Sequence, residues 1–196
     1  MSWIPHPIAL EGSLVRLEPL VYEHIPALLD AAASPDIWRY LPFDGTDRGA
    51  FEAELKNAVL RRRAGEQYPF TVRRLDDGAI VGHTRFFDIY PEHRKLEIGW
   101  TWYRPDVWGS GLNTECKLLL LTYCFEELKT NRVQLKTRDV NERSAAAIRK
   151  IGATFEGRLR KDRVLHDGTT RDSLLFSIID DEWPGIKKHL TDMCAG

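Results

Sequence analysis

The chain is expected to fold as an α/β or α+β layered domain, a mixed sheet with helices on its faces. Three observations carry that expectation. Strand-like alternation and helical spacing follow one another along the whole sequence. Several consecutive strand candidates are joined by hairpin turns, which excludes a doubly wound parallel sheet. One strand runs straight into a glycine-rich turn and then a helix.

Taken in order, SLVRLEPL (13–20) alternates as a first strand that Pro19 limits. HIPALLDAAAS (24–34) reads as a short helix ended by Pro35-Asp36, and WRYLPF (38–43) as an aromatic connector. RGAFEAELKNAVLRRRAG (48–65) has helical spacing at Phe51, Leu55, Val59 and Leu60 and is closed by Gly65. FTVRRLDDGAIVGHTRFF (70–87) is a hairpin turning at Asp76-Asp77-Gly78, whose glycine supplies a positive φ. KLEIGWTWY (95–103) is a strand with Leu96, Ile98, Trp100 and Trp102 on one face and Glu97, Gly99 and Thr101 on the other. A helix is expected from the glycine turn to about Lys129, a strand over RVQLKT (132–137) and a short helix over NERSAAAIRKIG (141–152). A second hairpin over 163–179 turns at Asp167-Gly168.

Composition narrows the function. With 196 residues, one domain is the better expectation, and 43% hydrophobic against 29% charged residues describes a globular chain rather than a disordered one. A formal charge of −1 argues against nucleic acid or an anionic membrane as partner. The basic stretches RRRAG (61–65) and RLRKDR (158–163) lack interleaved aromatics and read as solvated faces. Cys116, Cys124 and Cys194 show no metal-ligand spacing, and the first two fall on one helix face as reduced core residues. MSWIPHPIALEG does not have the pattern of a signal peptide, and the longest apolar run, LLLL (118–121), is far short of a membrane span. A cytoplasmic location is the resulting expectation.

The chemistry concentrates around WGSGLNTE (108–115). Position 114, where a dinucleotide loop has its third glycine, is threonine, and no Gly-Lys-Ser/Thr ending marks a nucleoside triphosphate loop. The N–H groups of Gly109 through Asn113, reinforced by a helix dipole, would still hold a compact diphosphate. The same residues also make a plain strand-to-helix turn with Ser110 or Asn113 as N-cap.

LEIGWTWYRPDVWGSGLNTECKLLLL, RVQLKTRDVNERSAAAIRKIGATFEGRLRK and DGTTRDSLLFSI together resemble the GNAT superfamily of acetyl-CoA-dependent N-acetyltransferases, of the RimJ/RimL type. The resemblance runs from about Val15 to about Trp183. It implies a single domain over 1–196, with a core at about 13–183 and a mixed, mainly antiparallel sheet flanked by helices. Gly109 and Gly111 match the family loop Q/R-x-x-G-x-G/A, while Asp106 departs from it by standing at the Q/R position.

By resemblance, Gly109, Ser110, Gly111, Leu112, Asn113 and Thr114 cradle the diphosphate of acetyl-CoA. The backbone of Trp102, Tyr103 and Arg104, where the family strand bulges, bonds the pantetheine and the thioester oxygen. The side chains of Trp100 and Trp102 read as core. Asn141 contacts the pantetheine and Ser144 donates to the departing thiolate; both are equally explained as the cap of a helix. Glu97 is the candidate general base, with surface alternation as its other explanation. Asp162 is the only carboxylate among Arg160, Lys161 and Arg163, His166 reads as a turn residue, and His83 as a hydrogen-bonded core histidine. Trp38, Tyr40, Phe43 and Tyr90 are candidates for the walls of the acceptor site.

The implied activity is direct transfer of acetyl from acetyl-CoA to a primary amine, such as a protein N-terminus, with no covalent enzyme intermediate and no metal. A homodimer fits the family. The alternative is a non-catalytic acyl-CoA-binding sensor or interaction module.

Overall fold

The computed structural model describes residues 3–41, 43–165 and 168–195. Its first half contains β1 (Leu10–Glu11), β2 (Val15–Pro19), α1 (Ile25–Ala31), α2 (Pro35–Trp38), α3 (Arg48–Arg63), β3 (Tyr68–Arg74) and β4 (Ile80–Tyr90). The second half contains β5 (Lys95–Tyr103), α4 (Leu112–Thr122), β6 (Arg132–Arg138), α5 (Glu142–Lys150), β7 (Thr154–Val164), β8 (Thr170–Ile179) and α6 (Trp183–Ala195). Eight strands form one sheet in the order β1-β2-β3-β4-β5-β6-β8-β7. Only β5 and β6 are parallel. A parallel pair needs a crossover, and α4 supplies it.

Most sequence-derived elements stand where expected, and β5 matches its expected limits. The differences have local causes. Pro35 does not end a helix but opens α2 at its first turn, where a missing N–H is harmless. Leu60 is 52% exposed, so the apolar stripe of α3 is Phe51, Leu55 and Val59. After Thr122 the helix loosens into a π-turn over Tyr123–Glu127. Gly168 has φ +80, as the closing hairpin requires; His166 and Asp167 lie outside the described residues. The two-residue β1 and the terminal α6 had no counterpart in the sequence reading.

Helices cover the sheet on both faces. Leu112, Cys116, Leu120 and Leu121 of α4 join Ile148 of α5 and Trp183, Ile186 and Leu190 of α6 in the larger core. Leu28, Trp38, Phe51, Leu55 and Val59 from α1–α3 form a second core on the opposite face. Truncating a fully buried aromatic such as Phe70, Phe86 or Phe176 to alanine would cost about 3–5 kcal/mol.

The strand that changes phase is β5. Arg85 pairs with Gly99 and His83 with Trp102, so β5 carries one extra residue over that interval. Trp100 has φ +51, a strained value for a bulky side chain, and marks the bulge. A one-residue bulge inverts side-chain facing beyond it. Leu96 and Ile98 therefore share the larger core with Tyr103, whereas Trp102 belongs to the second core. The expected single face of Leu96, Ile98, Trp100 and Trp102 is thus corrected by a bulge at Trp100 against β4.

Candidate active site

Parallel pairing between β5 and β6 covers only Lys95–Arg132, Leu96–Val133 and Glu97–Gln134. Beyond Glu97, β5 follows β4 and β6 follows β8, so a wedge opens between them. Because the two strands are parallel, both run toward the mouth of this wedge. One leads through the 104–111 loop into α4, the other through 139–141 into α5. Two helix N-termini therefore flank one mouth.

The loop before α4 is arranged to leave its amides free. Gly109 and Gly111 have φ +79 and +82, left-handed values that glycine adopts without strain. Gly111 is the N-cap residue and makes no side-chain cap, which corrects the expectation of Ser110 or Asn113. The Ser110 hydroxyl turns back onto the Val107 carbonyl at 2.7 Å. Thr114 and Glu115 N–H groups bond the Gly111 carbonyl at 2.9 and 3.1 Å. Among the described residues, no acceptor meets the N–H groups of Gly109, Gly111, Leu112 and Asn113. That cluster of unpaired donors at the positive end of an 11-residue helix fits a diphosphate.

Asp106 has its explanation in Arg104. The guanidinium holds both carboxylate oxygens at 2.5 and 2.7 Å, with Arg74 at 4.0 Å. The departure from the family pattern is neutralised internally, so it opposes an anion at the loop far less than a lone aspartate would. The same pairing directs the Arg104 side chain to Asp106.

Trp108 joins the two halves of the mouth. Its indole N–H donates to the Tyr103 carbonyl at 2.9 Å, and the Arg143 guanidinium lies 4.1 Å from its ring centroid. Sequence reasoning assigned no role to either Trp108 or Arg143. At the start of α5, Asn141 Oδ1 accepts the Ser144 N–H at 3.1 Å, so Asn141 is a true cap. Ser144 is half-buried in the first turn of that helix, and no hydrogen bond engages its hydroxyl among the described residues.

Glu97 stands at the apex of the wedge, 3% exposed, as the last β5 residue paired with β6. Its carboxylate accepts from Gln134 Nε2 at 2.9 Å and faces Lys136 Nζ at 3.0 Å. Burial pushes its pKa up, and Lys136 and Gln134 only partly oppose this. A raised carboxylate is a better proton acceptor near neutral pH than an exposed one.

Behind the bulge lies a buried network that the sequence did not announce. Arg85 is 1% exposed and donates to His83 Nε2 and Glu54 Oε1, both at 2.8 Å, and to Gln67 Oε1 at 3.1 Å. Its guanidinium sits 4.4 Å from the Trp100 ring centroid, holding the flipped side chain by a desolvated cation–π contact. Burial, then the Arg85 charge, lowers the His83 pKa well below its ordinary value, so His83 is a neutral acceptor in the core, as expected.

The acceptor-wall candidates divide. Tyr40 lies beside the wedge, since its carbonyl accepts from Arg171 Nη1 at 3.1 Å. Phe43 packs edge-on against Trp38 at 6.2 Å. Trp38 itself is buried, with its N–H on the Ala32 carbonyl and its ring 4.9 Å from Phe51, so it is core rather than wall. Tyr90 pairs with Lys95 at the closed end of the β4–β5 hairpin, away from the mouth. Neither of those two lines the opening.

Glu115, the last residue of WGSGLNTE, was also passed over. It accepts from Ser13 N and Oγ, Leu14 N and Val15 N at 2.6–2.9 Å, fastening the β1–β2 turn to the first turn of α4. Burial works to raise its pKa, but these hydrogen bonds prevail and lower it. Cys116 and Cys124 are fully buried free thiols; burial raises Cys116 to about 12 and Cys124 well above its ordinary value, so neither is a nucleophile. Among the described residues no group of His, Cys, Asp and Glu could hold a metal, and no helix is long and apolar enough to cross a membrane.

A splayed parallel pair, a strand bulge and two helix N-termini at one mouth define an acyltransferase-type site. The model of the acetyltransferase (GNAT) domain matches residues 15–154, and the chain belongs to that family. Membership makes it an N-acetyltransferase. It is 35% identical over 113 residues to YdaF of Bacillus subtilis (strain 168), provisionally described as a ribosomal N-acetyltransferase, across 58% of this chain and 61% of that protein. A structure from T. thermophilus, provisionally described as an acetyltransferase, superposes with TM-score 0.85 at 37% identity, covering 96% of this chain and 98% of that one. RimJ of Mycobacterium smegmatis, solved in complex with CoA-disulfide, shares the fold with TM-score 0.80 at 23% identity, over 95% of each chain.

Proposed function

We propose that the chain acetylates a primary amine at a peptide N-terminus, with acetyl-CoA bound across the mouth of the wedge. The observation that carries this reading is the set of unpaired amides at Gly109, Gly111, Leu112 and Asn113, beside a β5 edge that has lost its strand partner. The diphosphate rests on those amides, and the pantetheine lies along the free edge of β5 toward Glu97. Asn141 borders the arm where α5 begins.

The amine attacks the thioester carbonyl and a C–N bond forms as the C–S bond breaks. Glu97 takes the proton that the amine loses. The Ser144 hydroxyl donates a hydrogen bond to the departing thiolate, whose proton then comes from solvent or from the serine. Tyr40 and Phe43 border the acceptor. The homology to YdaF, with its ribosomal description, supports a protein rather than a metabolite as acceptor.

Thermal melting with acetyl-CoA tests the donor site: saturating ligand at about 100 times its Kd should add about 2.7 kcal/mol of stability. A folded sample whose melting point does not move would refute the donor assignment. Thiol release with a panel of peptides and small amines then tests the acceptor class. Turnover confined to small amines would refute a peptide N-terminus.

A further inference from the structure

Glu97 does not stand alone on its face of the sheet. Gln134, Lys136 and Arg138 alternate along β6, so their side chains share the face that carries Glu97, the partner of Gln134. Arg138 pairs with Ser173 on β8, and Arg171, two residues earlier, pairs with Arg163 on β7. Three guanidinium groups from three adjacent strands thus converge beyond the apex of the wedge. Tyr40 closes over them through its carbonyl contact to Arg171.

This cluster has too little negative charge of its own. Among the described residues, the acids that act on Arg171 are Asp162 and Glu97, and Asp162 stands 3.9 Å from Arg163 Nε. Among the described residues, Arg138 Nε, Arg171 Nε, Ser173 Oγ and the Asp162 Oδ2 acceptor are all shielded from solvent and have no hydrogen-bond partner. Donors left unmade in this way are costly unless a ligand completes them. Burial lowers the Arg171 pKa, and the charges of Arg163 and Arg138 lower it further against Asp162 and Glu97. The strand register puts Arg138, Arg171 and Arg163 on the face of the sheet that carries Glu97.

Resting on the peptide acceptor proposed above, we infer that Arg138, Arg171 and Ser173 bind a carboxylate on the acceptor, and that the preferred acceptor is a peptide with Asp or Glu close behind its N-terminal residue. Planar guanidinium groups match a carboxylate in geometry as well as charge. Spacing selects a peptide over a free amino acid. Gln134 and Arg138 are four residues apart, about 13 Å along an extended strand. Strand side chains stand roughly perpendicular to the sheet, so their ends keep about that separation, and the α-amine and α-carboxylate of one amino acid, held on one carbon, do not span it. Two or three extended residues, at about 3.3–3.6 Å each, bring a second- or third-position side chain to the arginines while the N-terminus stays near Glu97.

The test compares acetyl-CoA turnover on peptides that share their first residue and differ only at positions two and three: Ala-Ala, Glu-Glu or Lys-Lys. The acidic peptide should have kcat/KM about tenfold above the neutral one, expressed in KM, and the lysine peptide should be poorest. Arg138→Gln and Arg171→Gln should each shrink the acidic-to-neutral ratio toward one. As a measurement that needs no variant, the N-acetylated acidic peptide should compete with substrate on wild-type protein more strongly than its neutral counterpart. Equal kcat/KM for acidic and neutral peptides would overturn the inference while leaving the peptide acceptor standing. Free glutamate turned over as well as the acidic peptide would overturn the spacing argument. No turnover of any peptide, with acetyl-CoA bound, would instead remove the acceptor reading and this inference with it.

Discussion

The Arg143 guanidinium lies 4.1 Å from the centroid of the Trp108 ring, so the first turn of α5 rests on the loop that opens α4. The two helix N-termini share no strand pairing and are far apart in sequence. Trp108 locks them in register and, through its N–H on the Tyr103 carbonyl, fixes both to the end of β5. The mouth is preorganised by an aromatic side chain that need not touch the reacting atoms.

Replacing that ring should loosen the mouth. Trp108→Ala should weaken acetyl-CoA binding about tenfold, from loss of a cation–π contact and one hydrogen bond. Trp108→Phe keeps the ring and loses only the N–H, so it should fall between. Calorimetric titration decides; unchanged affinity in the alanine variant would show that the clamp is incidental.

The candidate base gives a pH signature. Burial raises the Glu97 pKa above the ordinary 4.5, so kcat/KM should fall as pH drops through that raised value, the carboxylate being inactive once protonated. Glu97→Gln should lower kcat by about 10²-fold or more and remove this acidic limb. Stability moves the other way: the folded state holds its proton more tightly, so stability from this group declines as pH rises from about 4.5 to the folded pKa. A pH–rate profile of the glutamine variant that still shows the limb would exclude Glu97 as base.

Ser144 separates capping from catalysis. Its N–H, not its hydroxyl, meets Asn141, so Ser144→Ala leaves the cap intact. Melting should be unchanged within about 0.5 kcal/mol while kcat falls and KM stays. Equal kcat for the two proteins would remove Ser144 from the chemistry.

Glu115 should matter to folding before it matters to turnover. Glu115→Ala strands three backbone donors and detaches the β1–β2 turn from α4, a loss of about 3 kcal/mol. Because its folded pKa is lowered, its contribution is present above about 4.5 and disappears as pH falls through the folded value. Urea unfolding of both proteins should therefore differ at pH 7 and converge in acid.

Lys117 is the opposite case. It is fully buried on α4, with Nζ 3.3 Å from Thr101 Oγ1, and burial pushes its pKa down from 10.5 to about 8. Between pH 8 and 10.5 the unfolded chain binds more protons, so stability rises with pH across that window and the penalty is complete below it. Lys117→Met should stabilise the protein at pH 7 by up to about 3 kcal/mol and flatten the alkaline rise. A destabilised variant would mean that the Thr101 contact outweighs desolvation.

Much of this architecture was legible in the residues. KLEIGWTWY alternates and defines β5, Asp76-Asp77-Gly78 turns the first hairpin, and Asn141 caps α5 with its side chain. The spacing of Gly109 and Gly111 left a plain turn and a diphosphate loop both open, and the resemblance carried by the flanking segments favoured the second. Each of these signals is local: a turn, a cap or a periodicity is decided by neighbours within a few residues.

What escaped the sequence is what long-range packing decides. The bulge at Trp100 is held by Arg85, on the neighbouring strand, and no periodicity reveals that one residue has been added to one side of a pair. It moves Trp102 into the second core and leaves Trp38 beside it as packing rather than as acceptor wall. Asp106 is harmless only because Arg104 folds back onto it, and Glu115 matters only because residues 13–15, about a hundred positions away, aim their donors at it. The sequence by itself determined most of the elements, the family and the glycine turn before α4, through interactions among near neighbours. Tertiary structure decided the wedge, the clamp across its mouth and the arginines beyond it, since strand pairing and charge convergence join residues that the sequence keeps apart.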